Sequence, residues 1–339
     1  MNAGIESGIS IPEAYGGIGL NMAQETLVIE ELCNASLAFR SLIGTTVGIG
    51  SQGLVMDGTE AQKQAFLPRL ATGEIISSFA LTEPDHGSDA AHIQTTARRD
   101  GDDFIINGTK RYITNASRAG MFTLLARTDP DKEGASGVTA FLMPAGSPGI
   151  SLGTTDKKMG QRGTRTCDVL LDDVRLPSSA IIGGPDNLGK GFYTAMKVLD
   201  RGRIHLSAVA TGTSQRMVSI ATEYARERKQ FGVPIGQHQL VQALLADSQT
   251  DLLAARHLCR AAARKYDRDG SAVLEASCAK LFSSEAAGRI ADRCVQIHGG
   301  AGYIADYQIE RLYRDVRLLR IYEGTSQIQQ VIIARNMLK

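Results

Sequence analysis

One segment divides the chain into two parts with different secondary-structure patterns: GGPDNLGKGFYTAMKVLDRGRIHLSAVATGTSQRMVSIATEYARERK, residues 183–229. It opens with a glycine-rich loop, residues 183–191. The remainder, residues 192–229, has the pattern of one long helix. The chain is helical in pattern after this segment and β-prone before it. The segment therefore marks the start of a helical domain.

Further helices are predicted downstream of this segment. They are residues 237–269, residues 272–297 and the segment from Ile328 to Leu338. The first of them places Leu240, Leu244 and Leu252 on one stripe. The second ends where the glycines of HGGAGY forbid continuation. Long amphipathic helices joined by short loops predict an antiparallel bundle over residues 186–339.

Upstream of the segment, six short β-prone runs are separated by Gly, Asn and Asp. They are ISSFALT (76–82), IQTTARR (93–99), DFIINGTKRYIT (103–114), MFTLLAR (121–127), VTAFLMP (138–144) and CDVLLDDVRL (167–176). This density of strands predicts a compact antiparallel barrel or sandwich. The pair Asn107-Gly108 lies between alternating runs, and it predicts a type I′ hairpin turn because both central residues of that turn need positive φ.

The first region of the chain is again helical in pattern. Its predicted helices are MAQETLVIEELCNAS (22–36), with Leu27, Val28 and Leu32 on one face, and EAQKQAFLPRLATG (60–73), closed by Gly73. The predicted fold class is therefore multi-domain α+β. It comprises an N-terminal helical domain (1–76), a β domain (77–185) and a C-terminal antiparallel helical bundle (186–339).

Composition excludes several classes of protein. The chain has 339 residues, 43% hydrophobic and 22% charged, with a net charge of +1, which does not indicate a nucleic-acid partner. The five cysteines have no metal-ligand spacing and no pattern typical of a disulfide framework. No apolar run reaches the roughly 18 residues of a membrane helix, and no signal peptide opens the chain. We expect a soluble cytoplasmic protein without a metal site.

Three glycine-containing loops are candidates for ligand binding, and each has a plain structural explanation. ALTEPDHGSDAAH (80–92) offers hydroxyls and backbone N–H groups to a planar ligand, or is an ordinary polar turn. QIHGGAGY (296–303) ends a helix, so it is not a dinucleotide fingerprint, although its backbone could approach a phosphate or ribose. ERKQFGVPIGQHQ (227–239) has positive charges that a helix C-terminus favours in any case.

Glu323, in RIYEGTSQIQQ, lies beside a glycine and just ahead of the last predicted helix. Ser326 and Gln329 have the spacing of a capping box, and an acid near a helix N-terminus is electrostatically favourable. The residues themselves leave two alternatives open: Glu323 is a catalytic base, or it is an acid placed at a helix start.

Taken in order, six motifs resemble the acyl-CoA dehydrogenase family. They are PEAYGG.G (12–19), LTEP..GSD (81–89), NGTKRYITN (107–115), ERKQFG.PI...Q (227–239), QIHGGAGY (296–303) and IYEGTSQIQ (321–329). The resemblance covers nearly the whole chain. It implies a helical domain, a β domain and a helical bundle, with FAD bound between β domain and bundle. It also implies a homotetramer built as a dimer of dimers, and an electron-transfer flavoprotein as the acceptor.

The resemblance carries cofactor contacts over by position. The residues implied to contact FAD are Phe79, Leu81, Thr82, Gly87, Ser88, Tyr112, Ile113, Thr114, Arg228, Phe231, Gln239, Gln296, Gly299, Gly300, Thr325 and Gln327. Those of residues 79–88 would line the flavin edge, and Tyr112 to Thr114 would cover its face near N5. Arg228, Gln239 and residues 296–300 would reach FAD from a partner subunit.

The resemblance also implies the reaction. Glu323 would abstract the α-proton of an acyl-CoA thioester while FAD N5 accepts the β-hydride, giving a trans-2-enoyl-CoA. The residues implied to contact substrate are Ser88, Asp200, Arg203, Tyr322, Gly324, Arg40 and Ser41. Some relatives place the base one residue before the arginine equivalent to Arg203. That position is Gly202 here, so Glu323 is the only candidate.

Three departures from the family pattern qualify these expectations. His86 stands where relatives mostly have a small residue, and we expect it to face solvent, with a hydrogen bond to flavin as the alternative. The chain starts close to its first motif, which predicts an N-terminal domain that is incomplete relative to the family. Many relatives have Trp where this chain has Tyr112.

One local resemblance bears on which acyl group the substrate carries. Arg40-Ser41, in ASLAFRSLIGTT, resembles the glutaryl-CoA dehydrogenase type, whose arginine pairs with the distal carboxylate of the substrate. The alternative is that Arg40 extends to solvent or pairs with a carboxylate such as Glu31. Other functions also stay open: oxidase or elimination chemistry on the same fold, and an inactive, truncated flavoprotein acting as a binding module.

Overall fold

The computed structural model describes residues 8–339, which cluster into two compact units. The described part of the first unit comprises residues 8–20, Ser41–Lys157 and Gly163–Leu199. The second unit comprises Asn21–Arg40, Lys158–Arg162 and Asp200–Lys339. Each unit is described by itself below. The predicted domain boundaries stay a prediction, and residues 1–7 of the predicted N-terminal domain lie outside the described residues.

The helices are α1 Met22–Ala35, α2 Leu37–Gly44, α3 Gln52–Asp57, α4 Glu60–Ala71, α5 Gly191–Glu227, α6 Gln239–Asp269, α7 Val273–His298, α8 Gln308–Val316 and α9 Ser326–Met337. The strands are β1 Ile76–Ala80, β2 Thr96–Asp100, β3 Asp103–Thr114, β4 Ala119–Arg127, β5 Val138–Pro144, β6 Ile150–Leu152, β7 Thr166–Pro177, β8 Lys229–Gln230 and β9 Val233–Pro234. The predicted class, helices before and after a central β region, is confirmed.

The first unit is organised by one seven-stranded sheet, in the order β1-β4-β2-β3-β7-β6 with β5 paired to β4. All six predicted runs form strands, and the short strand β6 was not predicted. The prediction of a purely antiparallel sheet is wrong in one respect, because β1 and β2 each pair with β4 in parallel. Phe104, Phe122 and Phe141 lie in the buried core of this sheet.

The hairpin predicted at Asn107-Gly108 is wrong. Strand β3 runs straight through this pair, and its register with β7 shifts there in a bulge. The Asn107 side chain donates to Asp173 Oδ1 at 2.9 Å and accepts from the Asp173 N–H at 2.9 Å, which fixes the bulge. The hairpin lies earlier, between Asp100 and Asp103, where Gly101 has φ +65°.

The second unit is formed by long helices that pack through small side chains. The alanines of α6 and α7, including Ala262, Ala263, Ala276 and Ala279, meet Met22 of α1 and Ile204 of α5 in one buried cluster. Small residues at these contacts let the helix backbones approach closely. The predicted long helices are confirmed, whereas α8 was not predicted.

Two predicted apolar stripes are wrong in part. On α1, Leu27 is 50% exposed, and the buried face consists of Met22, Glu25, Thr26, Ile29 and Cys33. On α6, Leu240 is 84% exposed although Leu252 is fully buried. The buried face of α1 therefore contains a fully buried carboxylate, Glu25, which a search for apolar residues overlooks.

Two further findings concern the whole described chain. Every helix among residues 8–339 is too short or too polar to cross a membrane. All five cysteines are free thiols, and four of them are buried.

Candidate active site

Glu323 lies in the second unit, in the short connection that precedes α9. Its backbone has φ +54°, a left-handed conformation that is rare outside glycine, and Gly324 follows with φ +88°. The Gln329 side chain donates to the carbonyl oxygens of Glu323 and Gly324 at 3.2 and 3.1 Å. Lys280 on α7 also donates to the Gly324 carbonyl, at 2.6 Å. These contacts hold a strained backbone in one conformation, as is common at functional sites.

The helix after Glu323 begins one residue earlier than the predicted capping box. Thr325 is the N-cap, and its hydroxyl accepts a hydrogen bond from the Ile328 N–H at 3.2 Å. Ser326, the predicted cap, instead donates to Glu285 on α7 at 2.5 Å. The prediction therefore had the wrong cap residue, and Gln329 reaches back to carbonyl groups and not to the cap N–H.

Glu323 is half-buried, and one oxygen of its carboxylate is buried without a partner. Its Oε2 atom accepts no hydrogen bond from any of residues 8–339. Burial raises the pKa of Glu323, and the positive charges of Arg40, Lys280 and Arg203 oppose that rise. No cation of the described chain forms an ion pair with Glu323 within 4.0 Å. The carboxylate thus faces three cations across a gap, and it has a raised pKa suited to accepting a proton.

Arg203 and Asp200 are neighbours on α5 and form an ion pair with each other. Arg203 is 5% exposed, and its Nε atom has no hydrogen-bond partner among the described residues. Burial lowers the pKa of Arg203 and raises that of Asp200. The helix therefore presents a buried guanidinium that acts electrostatically on Glu323, at the positions predicted to contact substrate.

Arg40 lies at the end of a chain of buried polar contacts in the second unit. Its Nε atom donates to His205 Nε2 at 3.1 Å, and His205 Nδ1 lies 2.7 Å from Glu25 Oε1. Glu25 also forms an ion pair with Arg201. Arg40 is only 4% exposed, so the alternative that it extends to solvent or pairs with Glu31 is wrong.

The charges in this chain of contacts are set by their neighbours. Burial raises the pKa of Glu25, but Arg201 and His205 more than offset it, so the pKa of Glu25 is lowered. Burial and the charge of Arg40 lower the pKa of His205 to about 4. At neutral pH, Glu25 is therefore ionised and His205 is uncharged.

Tyr322 precedes the candidate base. Burial raises the pKa of its phenol to about 12, although the charge of Arg40 and the side chain of Gln161 oppose that rise. It therefore stays protonated at neutral pH, next to the candidate base.

The first unit contains the loop after β1, and a buried ion pair fixes it. Lys110 on β3 is fully buried and donates to Glu83 Oε1 at 2.7 Å and to the Leu81 carbonyl at 3.1 Å. The Arg111 N–H donates to the Thr82 carbonyl at 2.8 Å. Loop and strand are thus joined on both sides of Thr82. Sequence reasoning missed this pair, although Glu83 and Lys110 both stand inside quoted motifs.

The predicted flavin-edge residues lie along this loop. Thr82 is partly exposed, and neither its N–H nor its hydroxyl group has a hydrogen-bond partner among residues 8–339. Leu81 is buried and Phe79 is partly buried, whereas Gly87 and Ser88 are exposed. The expectation that His86 faces solvent is wrong, because both of its ring nitrogens are buried and unpartnered.

The other predicted flavin contacts in this unit lie at the end of β3. Tyr112 has φ +58° and is 59% exposed, with the Arg111 guanidinium 5.1 Å from its ring centre. Ile113 is buried, and the Thr114 carbonyl accepts from Ser78 at 2.8 Å. Asn115, also at positive φ, donates to the Ser41 carbonyl at 3.2 Å, which anchors this strand end.

The remaining predicted cofactor residues lie in the second unit. Of those predicted to reach the FAD of a partner subunit, Arg228, Gln239, Gln296, Gly299 and Gly300 are exposed, whereas Ile297 and His298 within the predicted stretch 296–300 are buried. Phe231 and Gly232, both at positive φ, form the turn of the β8–β9 hairpin, and Phe231 is 93% exposed. Of the two residues beside Glu323, Thr325 caps α9 and Gln327 is exposed.

These groups fit the flavin that the sequence predicts. The first unit presents unpartnered polar atoms at Thr82 and His86 beside the exposed backbone of Gly87. The second unit brings together Glu323, Tyr322, Gly324, Arg40, Asp200 and Arg203 among the predicted substrate residues. Ser88 and Ser41 belong to the first unit.

Sequence reasoning missed Lys280 beside Glu323 and the buried residues Glu25, Arg201 and His205 behind Arg40, and it gave Gln329 only a capping role. The available signal was a charged or polar side chain at a helix position whose neighbours are apolar, since such a residue is buried only with a partner.

Comparison with known proteins gives matches over nearly the whole chain. Three family models match: acyl-CoA dehydrogenase N-terminal domain at residues 6–74, middle domain at 78–174 and C-terminal domain at 189–338. The chain is 43% identical to 3-(aryl)acrylate reductase of Clostridium sporogenes, covering 98% of this chain and 87% of the relative. It is 42% identical to the probable acyl-CoA dehydrogenase YngJ of Bacillus subtilis, with the same coverage.

Solved structures give matches of the same extent. Butyryl-CoA dehydrogenase from Megasphaera elsdenii has a TM-score of 0.95 at 35% identity, covering 99% of this chain and 88% of that chain. A chain from the structure of the electron transferring flavoprotein of Acidaminococcus fermentans has a TM-score of 0.95 at 36% identity, covering 99% of this chain and 87% of that chain. Glutaryl-CoA dehydrogenase from Mycobacterium smegmatis has a TM-score of 0.92 at 32% identity, covering 99% and 84%.

Proposed function

The chain belongs to the acyl-CoA dehydrogenase family, and from this premise we propose that it converts an acyl-CoA thioester to a trans-2-enoyl-CoA with Glu323 as the base. Membership makes it an FAD-dependent oxidoreductase that acts on CH–CH bonds. The observation that carries the proposal is the Glu323 carboxylate, whose Oε2 atom is buried and unpartnered and whose left-handed backbone is held by Gln329 and Lys280.

The residues around Glu323 suit the removal of an α-proton. The carboxylate must be ionised to accept the proton; burial raises its pKa, and the positive charges of Arg40, Lys280 and Arg203 oppose that rise and favour the ionised form. The Glu323 N–H makes no hydrogen bond to any of residues 8–339, so it is free to donate to the thioester oxygen. Such a donor stabilises the negative charge that develops when the proton leaves.

FAD, when bound, supplies the two-electron acceptor for the hydrogen that leaves the β-carbon. Thr82, Tyr112 and the other residues named above would hold it. The strained, well-anchored backbone at Tyr112 and Glu323 keeps their side chains in place on each unit. Orientation of this kind contributes much of the rate enhancement of an enzyme.

Anaerobic reduction of the flavin by a panel of acyl-CoAs tests this function. The native protein should be bleached by at least one member of the panel, and Glu323→Gln should be bleached at least about a hundredfold more slowly. Glu31→Gln is the matched control, because Glu31 is an exposed glutamate on α1. Bleaching of Glu323→Gln at the native rate would remove Glu323 from the mechanism.

A second candidate substrate class is an acyl group with a distal carboxylate. It is favoured by one observation: the Nε–His205 contact is the only hydrogen bond of the Arg40 side chain among residues 8–339. A buried guanidinium with unused donors is unfavourable unless an anion meets it. Turnover of glutaryl-CoA and butyryl-CoA by native protein and Arg40→Ala tests this, and unchanged selectivity would contradict it.

An electron-transfer flavoprotein is the proposed acceptor, and a homotetramer the proposed assembly. The likeness to a chain from an electron transferring flavoprotein structure supports the first. The exposed predicted FAD contacts of the second unit, Phe231 above all, support the second, because a partner subunit would cover them. Reduced protein that transfers electrons to oxygen as fast as to the flavoprotein would contradict the acceptor. A monomer in light scattering would contradict the assembly.

A further inference from the structure

Three residues of the second unit, each from a different helix, form a buried line of contacts. Glu25 comes from α1, Arg40 from α2 and His205 from α5. Glu25 and His205 are fully buried, and Arg40 is 4% exposed. The contacts measure 2.7 Å between Glu25 and His205 and 3.1 Å between His205 and Arg40. All three side chains are polar or charged, so their burial depends on these contacts.

The partners of His205 fix its proton. A carboxylate only accepts hydrogen bonds and a guanidinium only donates them. Nδ1 must therefore carry the hydrogen that faces Glu25, and Nε2 must be the acceptor for Arg40 Nε–H. A second proton on Nε2 would oppose the Arg40 donor. His205 thus presents one tautomer, and its lowered pKa of about 4 agrees with this uncharged state.

Arg40, at one end of this line of contacts, acts electrostatically on the candidate base Glu323. Arg40 is the foremost of the cations that oppose the rise in the pKa of Glu323, and its charge also acts on Tyr322. An arginine side chain has many rotamers, and fixing it costs about 2 kcal/mol in entropy. The bond from Nε to His205 fixes this side chain in advance and leaves its two terminal amino groups unused.

We propose that His205, oriented by Glu25, is a positioning residue that holds Arg40 as a preorganised cation for the Glu323 carboxylate. This deepens the proposed function and rests on Glu323 being the base. The charged groups that face His205 are Glu25 from α1, Arg40 from α2 and Arg201 from α5 itself. Those that face Glu323, besides Arg40, are Lys280 from α7 and Arg203 from α5.

The test uses two isosteric substitutions of His205. In His205→Asn the amide nitrogen takes the place of Nδ1 and retains the contact to Glu25, but the acceptor for Arg40 is lost. In His205→Gln the amide oxygen takes the place of Nε2 and retains the acceptor. Arg40→Met removes the charge with similar packing, and the double variant of Arg40→Met and His205→Asn completes the cycle.

The readout is the lower pH limb of kcat/KM, for whichever uncharged acyl-CoA of the panel bleaches the flavin fastest. Glu323 acts when ionised, so the limb reports its ionisation in the free holoenzyme. Without a fixed Arg40 the limb moves to higher pH. We expect the limb to shift by the same amount in His205→Asn as in Arg40→Met. At pH values below the limb, kcat/KM of both variants should be several-fold lower than that of the native protein. At pH values above the limb, the three kcat/KM values should converge. The double variant should shift no further, and His205→Gln should shift less.

Different results contradict different claims. If the limb lies at the native pH in His205→Asn but is shifted in Arg40→Met, the positioning role of His205 is overturned. An unshifted limb in Arg40→Met would overturn the role of Arg40. FAD content and thermal unfolding are measured for each variant, and if His205→Asn does not fold, a shift in His205→Gln equal to that in Arg40→Met overturns the inference. Bleaching of Glu323→Gln at the native rate would instead contradict the proposed function.

Discussion

The side chain of Lys280 donates a hydrogen bond of 2.6 Å to the carbonyl oxygen of Gly324, one residue beyond the candidate base. Lys280 is fully buried on α7, and Gly324 lies in the connection before α9. The contact therefore joins the middle of a long helix to the strained backbone at Glu323. It makes the position of the carboxylate depend on a residue 43 positions earlier in the chain, on a different helix.

Lys280→Met tests the importance of this contact. The Gly324 carbonyl would lose a charged donor, so we expect the free energy of unfolding to fall by about 1–3 kcal/mol and flavin reduction to slow. Chemical denaturation and anaerobic bleaching measure the two effects. Lys132→Met, at an exposed lysine of the first unit, is the control and should change neither. Native-like bleaching in Lys280→Met would show that the loop keeps its conformation without this contact.

Glu83→Gln tests the buried ion pair of the first unit. Lys110 is fully buried, and burial lowers its pKa to about 8 although Glu83 opposes this. Removal of one partner from a buried pair costs about 3–5 kcal/mol. We expect a matching loss of stability in denaturant, and a lower FAD content because the loop at Thr82 loosens. Glu133→Gln, at an exposed glutamate, is the control, and equal stability of the two variants would contradict the prediction.

We predict that His205 lowers the free energy of unfolding in acid. Burial lowers the pKa of His205 to about 4, below its unfolded value near 6.5. The unfolded chain then binds a proton that the folded chain does not, so stability falls as pH drops from about 6.5 to about 4. The share of His205 is about 3 kcal/mol at most. Denaturant unfolding at pH 7 and pH 4.5 should show a smaller loss in His205→Gln than in the native protein. An equal loss would mean that His205 is charged in the fold.

Gly324→Ala tests the backbone beside the base. Gly324 has φ +88°, and an added Cβ would lie 2.6 Å from Gln329 Nε2. We expect a loss of about 1–2 kcal/mol in the free energy of unfolding and slower bleaching, because Gln329 must move away from the carbonyl groups that it holds. Gly146→Ala is the control, since an added Cβ there meets nothing within 4 Å. A variant as stable and active as Gly146→Ala would contradict the role given to this backbone.

The long helices could be predicted from sequence because their signals are local. The segments that became α5, α6 and α7 carry apolar periodicity without interruption, and glycines follow the ends of α6 and α7. The strands were found for the same reason. The hairpin at Asn107-Gly108 failed because the pair is a turn signal only when the chain reverses there. A long partner strand, β7, keeps β3 extended and absorbs the pair as a bulge.

The buried charges could not be predicted from local signals. Glu25 was overlooked because a glutamate on a helix is normally solvated, and it is buried only because His205 and Arg201 meet it from a helix far along the chain. Arg40 had two open alternatives for the same reason. The candidate base itself was found through motif resemblance, whereas its anchoring by Lys280 and Gln329 required coordinates.

The central claim is that Glu323 removes the α-proton. Its most direct test is stopped-flow reduction of the flavin by an acyl-CoA with deuterium at the α-carbon, in native protein and in Glu323→Gln. We predict a slower reduction with the deuterated substrate in native protein, and a loss of about a thousandfold in Glu323→Gln with FAD still bound. Reduction of the Glu323→Gln flavin within about threefold of the native rate, with the isotope effect intact, would contradict the claim.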